Sequence, residues 1–303
     1  MWLMQQLTHA SPTPAEPKRL TASRSRGMAY RLLRNISGAV GLLLIAFYVA
    51  VAVMGSVRLT PYPANEQHVR DRLKPPSAQY MMGTDLFGRD MTSRVMEGAA
   101  NSLRVAVLSV ALSGLVGITL GVVSGFVGGT LDNLIMRTMD VFFAFPALLL
   151  ALVVVTILGP GLNNAIIAIA IVYTPIFARV ARGPVLAAKE MEFVMAARCL
   201  GVRSPGLLLR HILPNILAPL IVQISLALSW SLLTEAGLSF LGLGVQPPDA
   251  SWGVMLDESR GISENAPWLM IYPGAAMMLV VLGFNLLGDG LRDVLDPRMR
   301  GRR

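Results

Sequence analysis

The sequence predicts an all-α polytopic membrane protein with six transmembrane helices. Three observations carry that expectation. First, the 303 residues are 54% hydrophobic and 15% charged, against about 25% charged in a soluble domain, and the mean hydropathy is +0.59. Second, five stretches contain no Asp, Glu, Lys, Arg or His: 36–57, 105–131, 141–178, 212–234 and 265–288. Third, the net charge of +8 is concentrated in a few of the segments between and beyond those stretches. At about 150 residues per domain the length would allow two soluble domains, but too little polar surface remains to cover one.

The first 35 residues hold Lys18, Arg19, Arg24, Arg26, Arg31 and Arg34 against Glu16 alone and form an N-terminal tail. They contain no apolar signal-peptide core, so 36–57 reads as an uncleaved first span. Residues 58–100 follow as an external segment. The core, 101–290, is expected to carry spans at about 105–129, 141–158, 163–178, 212–234 and 268–288. A span needs about 20 mostly apolar residues, yet 141–178 would make a helix of roughly 57 Å. Gly159-Pro160-Gly161-Leu162-Asn163-Asn164 lies in its middle and is a strong turn signal. The run therefore divides into two spans joined by a hairpin.

Charge sets the topology. The loop 179–211 contains Arg179, Arg182, Lys189, Arg198, Arg203 and Arg210 against Glu190 and Glu192, and the tail 291–303 is rich in arginine. The segment 235–264 has Arg260 and five acidic residues. Basic segments stay in the cytoplasm, which puts both tails and 179–211 inside and requires an even number of spans. The segment 58–104 carries seven basic residues against five acidic ones; it is long enough for the bias to weaken.

Span two repeats small residues every fourth position: Ser109, Ser113, Gly117, Gly121, Gly125 and Gly129. Such a face lets another backbone approach closely, either for packing or for sliding during a cycle. Polar residues within the spans are few. Gln223, Ser229 and Asn285 are the candidates for a translocation path, beside Ser225 and Thr156. No acidic or basic residue falls inside the expected spans, whereas an ion-coupled transporter or proton pump needs them. An ion-coupled secondary transporter is accordingly the alternative reading, not the first.

Enzyme chemistry has no foothold. The three lysines, Lys18, Lys74 and Lys189, follow no glycine, so there is no phosphate-binding P-loop. His9, His68 and His211 are scattered, and Cys199 is the single cysteine, which excludes an internal disulfide and a cysteine-built metal site.

In the loop 179–211, Phe193, Ala196, Ala197 and Leu200 recur at helical spacing with Arg198 beside them. That predicts a short amphipathic helix, ended by Gly201, with Pro214 in the first turn of the next membrane helix. Such a helix suits a protein partner or a membrane surface. Ala196-Ala197, then Gly201, then Leu213-Pro214 resembles the EAA loop of ABC importer permeases; Met195 stands where that pattern has Glu, and His211 where Ile is common. Gly83-Thr84-Asp85-Leu86-Phe87-Gly88-Arg89-Asp90 with Ser93-Arg94 resembles the external segment of dipeptide, oligopeptide and nickel permeases. So does Leu238 to Pro248 followed by Trp252-Gly253. Phe284 to Asp293, then Leu295-Asp296-Pro297, is similar to the end of that family's second permease subunit.

The resemblance implies the type I ABC importer permease fold and one half of a heterodimeric pore in a bacterial cytoplasmic membrane, with both termini inside. It implies as partners a paralogous permease, two ATP-binding subunits and an extracytoplasmic substrate-binding protein, besides lipid; nucleic acid is not needed to explain the charge. ATP and Mg would sit on the ATPases, with no cofactor on this chain. Glu192, Phe193, Met195, Ala196, Ala197, Arg198, Gly201 and Pro214 would form the ATPase-coupling loop. The segment 235–268 would face the binding protein, with Pro247, Pro248 and Trp252 in an ordered, partly membrane-dipping loop. Peptides, glutathione, nickel and metal chelates are the implied cargoes.

Overall fold

The computed structural model describes residues 28–295; the tails 1–27 and 296–303, with most of the terminal basic residues, lie outside it. The described residues are almost entirely helical. In order they form α1 (Met28–Arg34), α2 (Ile36–Ser56), α3 (Met91–Val127), α4 (Gly129–Phe143), α5 (Ala147–Leu158), α6 (Leu162–Lys189), α7 (Glu192–Cys199), α8 (Ser204–Gly206), α9 (Leu213–Phe240), α10 (Trp252–Glu258) and α11 (Trp268–Leu295). Five described helices are long and apolar enough to span a membrane, and the bent pair α4–α5 makes a sixth crossing if counted as one.

Several boundaries differ from the expectation. α3 starts at Met91, well before the uncharged run, because Asp90 caps it: its carboxylate accepts the Ser93 amide at 2.8 Å. Hydropathy alone cannot register a helix whose first four turns carry Arg94, Glu97 and Arg104. At the other end α3 stops at Val127, where Gly128 (φ 72°) turns the chain. The expected span 141–158 is also corrected. α4 and α5 meet at 91°, since Pro146 disfavours the helical region for Phe145 before it. α4 is fastened to α6 instead: Arg182 forks onto Asp132 through two bonds of 2.6 Å, and Arg179 bonds Asp140 at 2.6 Å while lying 4.0 Å from the Phe143 ring.

The small-residue face of α3 packs on α6. A Cβ on Gly117 would come 2.4 Å from the Thr174 carbonyl oxygen, and one on Gly121 would come 2.1 Å from that of Ala178. The backbones already touch, so this face serves close packing. Gly129, expected to extend it, opens α4 instead. α2 lies against α11 and α3 by the same device, with Gly41 on the Leu287 amide and Gly55 on the Met96 carbonyl. Its outward side keeps Leu43, Phe47 and Val53 more than half exposed, as lipid contact requires.

Candidate functional site

The two ends of α3 mark two poles of the bundle. Near Val127, Lys189 at the end of α6 donates to the Phe126 carbonyl at 3.0 Å; α7 begins three residues later. Met191 is extended, and α7 places Glu192 in its first turn and Arg198 in its last, the arrangement that complements a helix dipole. Val194 and Ala197 are buried against Ala181, Val185 and Ala188 of α6 and Ile216 and Leu220 of α9. Phe193 is 41%, Met195 47% and Leu200 85% exposed. The expected stripe is thereby divided. Ala197 faces inward with Val194, while Phe193, Ala196 and Leu200 face outward. Helical spacing identifies arcs but does not say which arc meets the bundle.

Gly201 ends α7 as expected. Its φ of +81° lets its amide reach Arg198 O at 3.0 Å and the Val202 amide reach Ala197 O at 3.1 Å, the paired bonds of a Schellman cap. Pro214 is the second residue of α9, but the helical path runs unbroken from Ser204 to Phe240. Proline has no N–H and crowds the carbonyl one turn back; the wider π turn Leu207–Ile212 lies immediately before it and absorbs that crowding. The result is a short, capped helix seated on α6 and on the π turn that leads into α9, with an apolar outer stripe flanked by Glu192 and Arg198.

The opposite pole carries an ordered cap. Asp85 accepts the amides of Phe87 and Arg89 at 2.8 and 2.9 Å. Arg89 and Arg94 are 4% and 1% exposed. Arg89 bonds both Asp85 and Glu258, and Arg94 bonds Glu258 Oε2 at 2.9 Å, the oxygen that Arg89 Nη2 reaches at 3.0 Å; Arg94 Nε lies 3.5 Å from Asp85 as an ion pair. Two guanidiniums against two carboxylates balance the buried charge. The Gly83–Arg94 motif is thus a fastening between the 58–90 segment and α10. Trp252 is fully buried, donating to Val95 O at 3.1 Å and meeting Tyr48 edge-on at 5.8 Å, so it anchors the segment between α9 and α11 on the bundle. Nearby, the Lys74 ammonium and the Tyr80 hydroxyl hold Asp71 below the usual carboxylate range. Burial, helped by Asp71, pushes Tyr80 up to about 12.

Between the poles, Ser229 of α9 donates to Val281 O of α11 at 3.3 Å, and Asn285 donates to the same carbonyl at 2.9 Å from one turn further along α11. Gln223 is half-buried on α9. An apolar groove of about 440 Å³ lies between α3 and α9, lined by Val107, Val110, Gly114, Leu115, Ile224 and Leu228 among others; the three polar candidates do not line it. Among the described residues no group of three His, Cys, Asp or Glu side chains converges on a metal site.

The structure also brings in residues that sequence reasoning missed. Glu258 completes the ionic cap, and Asp132 ties α4 to α6. Glu235, placed just beyond the expected fifth span, lies inside α9 at 1% exposure. The expectation that the spans hold no charged residue is corrected accordingly, since α9 continues to Phe240 and α3 begins at Met91. A carboxylate at the edge of an apolar run reads as a boundary in sequence, and only packing reveals that the helix passes it.

Comparison with known proteins gives a consistent result. Residues 117–301 match the family described as binding-protein-dependent transport system inner membrane component. The dipeptide transport system permease protein of Alkalihalophilus pseudofirmus is 45% identical over 95% of this chain and 94% of its own length. A glutathione transport system permease protein of Pectobacterium atrosepticum is 42% identical over 89% of this chain and 90% of its own. A di/tripeptide transport permease of Pseudomonas aeruginosa is 44% identical over 87% and 89%. Among solved structures, an inward-facing MetNI methionine ABC transporter has a chain that superposes with a TM-score of 0.57 at 19% identity, covering 67% of this chain and 97% of that one; that likeness concerns the fold.

Proposed function

The chain belongs to the binding-protein-dependent transport system inner membrane components and is a permease subunit of an ABC importer, and from that premise we propose that its cargo is a short peptide or a peptide-like solute such as glutathione. It is a multi-pass membrane protein and a transport component, with ATP hydrolysis on separate subunits; membership in this family leaves the ion-coupled alternative without support. The names of its relatives favour peptide or glutathione over nickel or a metal chelate.

The finer assembly is part of the same proposal. A paralogous permease forms the other half of the pore, two ATPases hold ATP and Mg, and a soluble protein delivers cargo. The α7 pole and both termini face the cytoplasm and the ionic cap faces outward, in keeping with the distribution of basic residues. α7 is the handle. Its outer stripe of Phe193, Ala196 and Leu200, with Glu192, Met195 and Arg198 around it, fills a cleft on an ATPase. Val194 and Ala197 pass the motion to α6 and α9, and Gly201 and Pro214 hold the two ends of the connection.

The observation that carries this reading is the exposure of large apolar side chains on a capped helix already anchored from behind, since an exposed apolar patch marks a protein contact. The test is reconstitution of the complete complex, two permeases and two ATPases with the soluble binding protein, in proteoliposomes. ATP-dependent uptake of a dipeptide or glutathione is expected. Uptake that follows an ion gradient without ATP would overturn the class, and transport of nickel alone would overturn the cargo.

A further inference from the structure

Glu235 has an environment that neither folding nor the coupling loop explains. Its carboxyl is buried, and among the described residues no basic side chain balances it and Oε2 has no hydrogen-bond partner. Serines surround it. Ser239 Oγ donates to Oε1 at 2.7 Å and accepts the Val245 amide at 3.2 Å. Ser251 caps α10 by accepting the Val254 amide, and Ser102 of α3 accepts the Trp252 amide, each at 3.2 Å; both hydroxyls also reach toward Glu235. A serine has one O–H. Ser239 spends its O–H on Glu235, while Ser102 and Ser251 accept backbone amides beside a carboxyl whose second oxygen stays without a bond.

A buried carboxyl without a cationic partner is a costly way to stabilise a fold, and an apolar side chain of its size avoids the desolvation. What it does supply is a junction. Glu235 belongs to α9, Ser251 to α10 and Ser102 to α3. α10 also carries Glu258, which fastens the cap through Arg89 and Arg94, and α3 and α9 line the apolar groove. We propose that Glu235 is a positioning residue that transmits the seating of the binding protein on the cap to α3 and α9. This rests on the importer reading above.

The test is Glu235→Gln in the complete complex, which keeps the volume but turns an N–H₂ toward the serine hydroxyls. Binding-protein-stimulated ATPase activity and uptake are expected to fall about tenfold while basal ATPase activity and the yield of complex stay within about twofold. Amide exchange across residues 251–258 should quicken, with that of α7 unchanged. Unaltered stimulation would overturn the proposal, as would a parallel fall of basal and stimulated activity. Should the Gln variant fail to assemble, Ser102→Ala and Ser251→Ala decide in its place: partial uncoupling at full basal activity supports the role, and intact coupling in both overturns it. A wild-type complex that shows no stimulation at all would strike the importer reading instead.

Discussion

At Gly121 the space of one methyl group decides whether two spans can touch. A Cβ there would sit 2.1 Å from the Ala178 carbonyl oxygen, which belongs to backbone and cannot swing aside. Gly121→Ala should force α3 away from α6 and lower stability by about 1–3 kcal/mol, read as a lower midpoint in thermal unfolding of the solubilised complex. Arg94 poses the opposite problem. Arg94→Ala leaves Glu258 and Asp85 short of a partner in a buried cluster, a loss of about 3–5 kcal/mol. Arg94→Lys should recover only part of it, because a point-like ammonium cannot match the planar guanidinium that reaches Glu258 and the Pro248 carbonyl through separate nitrogens. Asp71 gives a pH dependence. Its folded-state pKa is depressed, chiefly by Lys74, so its contribution is present above the unfolded value of about 4 and is lost as pH falls through the folded one. Limited proteolysis of the 58–90 segment should therefore accelerate in acid, and Asp71→Asn should flatten that response. Arg94 and Asp85 were legible as part of a recognisable motif, but their task was not, because Glu258 lies far along the chain.

Among the elements, α7 was the most legible, since a glycine stop and a helical apolar repeat both fall within ten residues. Which arc faces inward came from its contacts with α6 and with the π turn Leu207–Ile212. Gly201→Asp tests the cap. Nothing lies within 4 Å of the new Cβ, so the cost is the backbone's alone, roughly 1 kcal/mol for a non-glycine residue at φ +81°. The helix should fray at its exposed end, with binding-protein-stimulated ATPase activity and uptake reduced while the rest of the bundle keeps its thermal stability. Survival of both activities would count against α7 as the coupling element. The α4–α5 pair was the least legible. Its apolar residues read as one span, and the bend depends on Pro146 together with the Asp132–Arg182 fork. Arg182→Ala leaves Asp132 with Ser124 as its bonding partner and should cost about 1–3 kcal/mol, visible as faster amide exchange along α4.

For the whole molecule, apolar run length was enough to identify a multi-pass membrane protein of five or six crossings, and the motifs were enough to identify the transport family. Both kinds of signal are local: a span's length follows from bilayer thickness, and a motif is a string of neighbours. What only the tertiary structure decided is non-local. It set the two poles, the junction of α3, α9 and α10 at Glu235, the ionic closure of the cap by Glu258, and the inward arc of α7. Each depends on side chains far apart in sequence, whose meeting is fixed by helix packing through Gly117, Gly121, Gly41 and Gly55. Sequence alone determined that the chain crosses a membrane, because hydrophobic transfer energy adds up residue by residue. Which charges are buried within it, and against what, follows only when the helices are brought together.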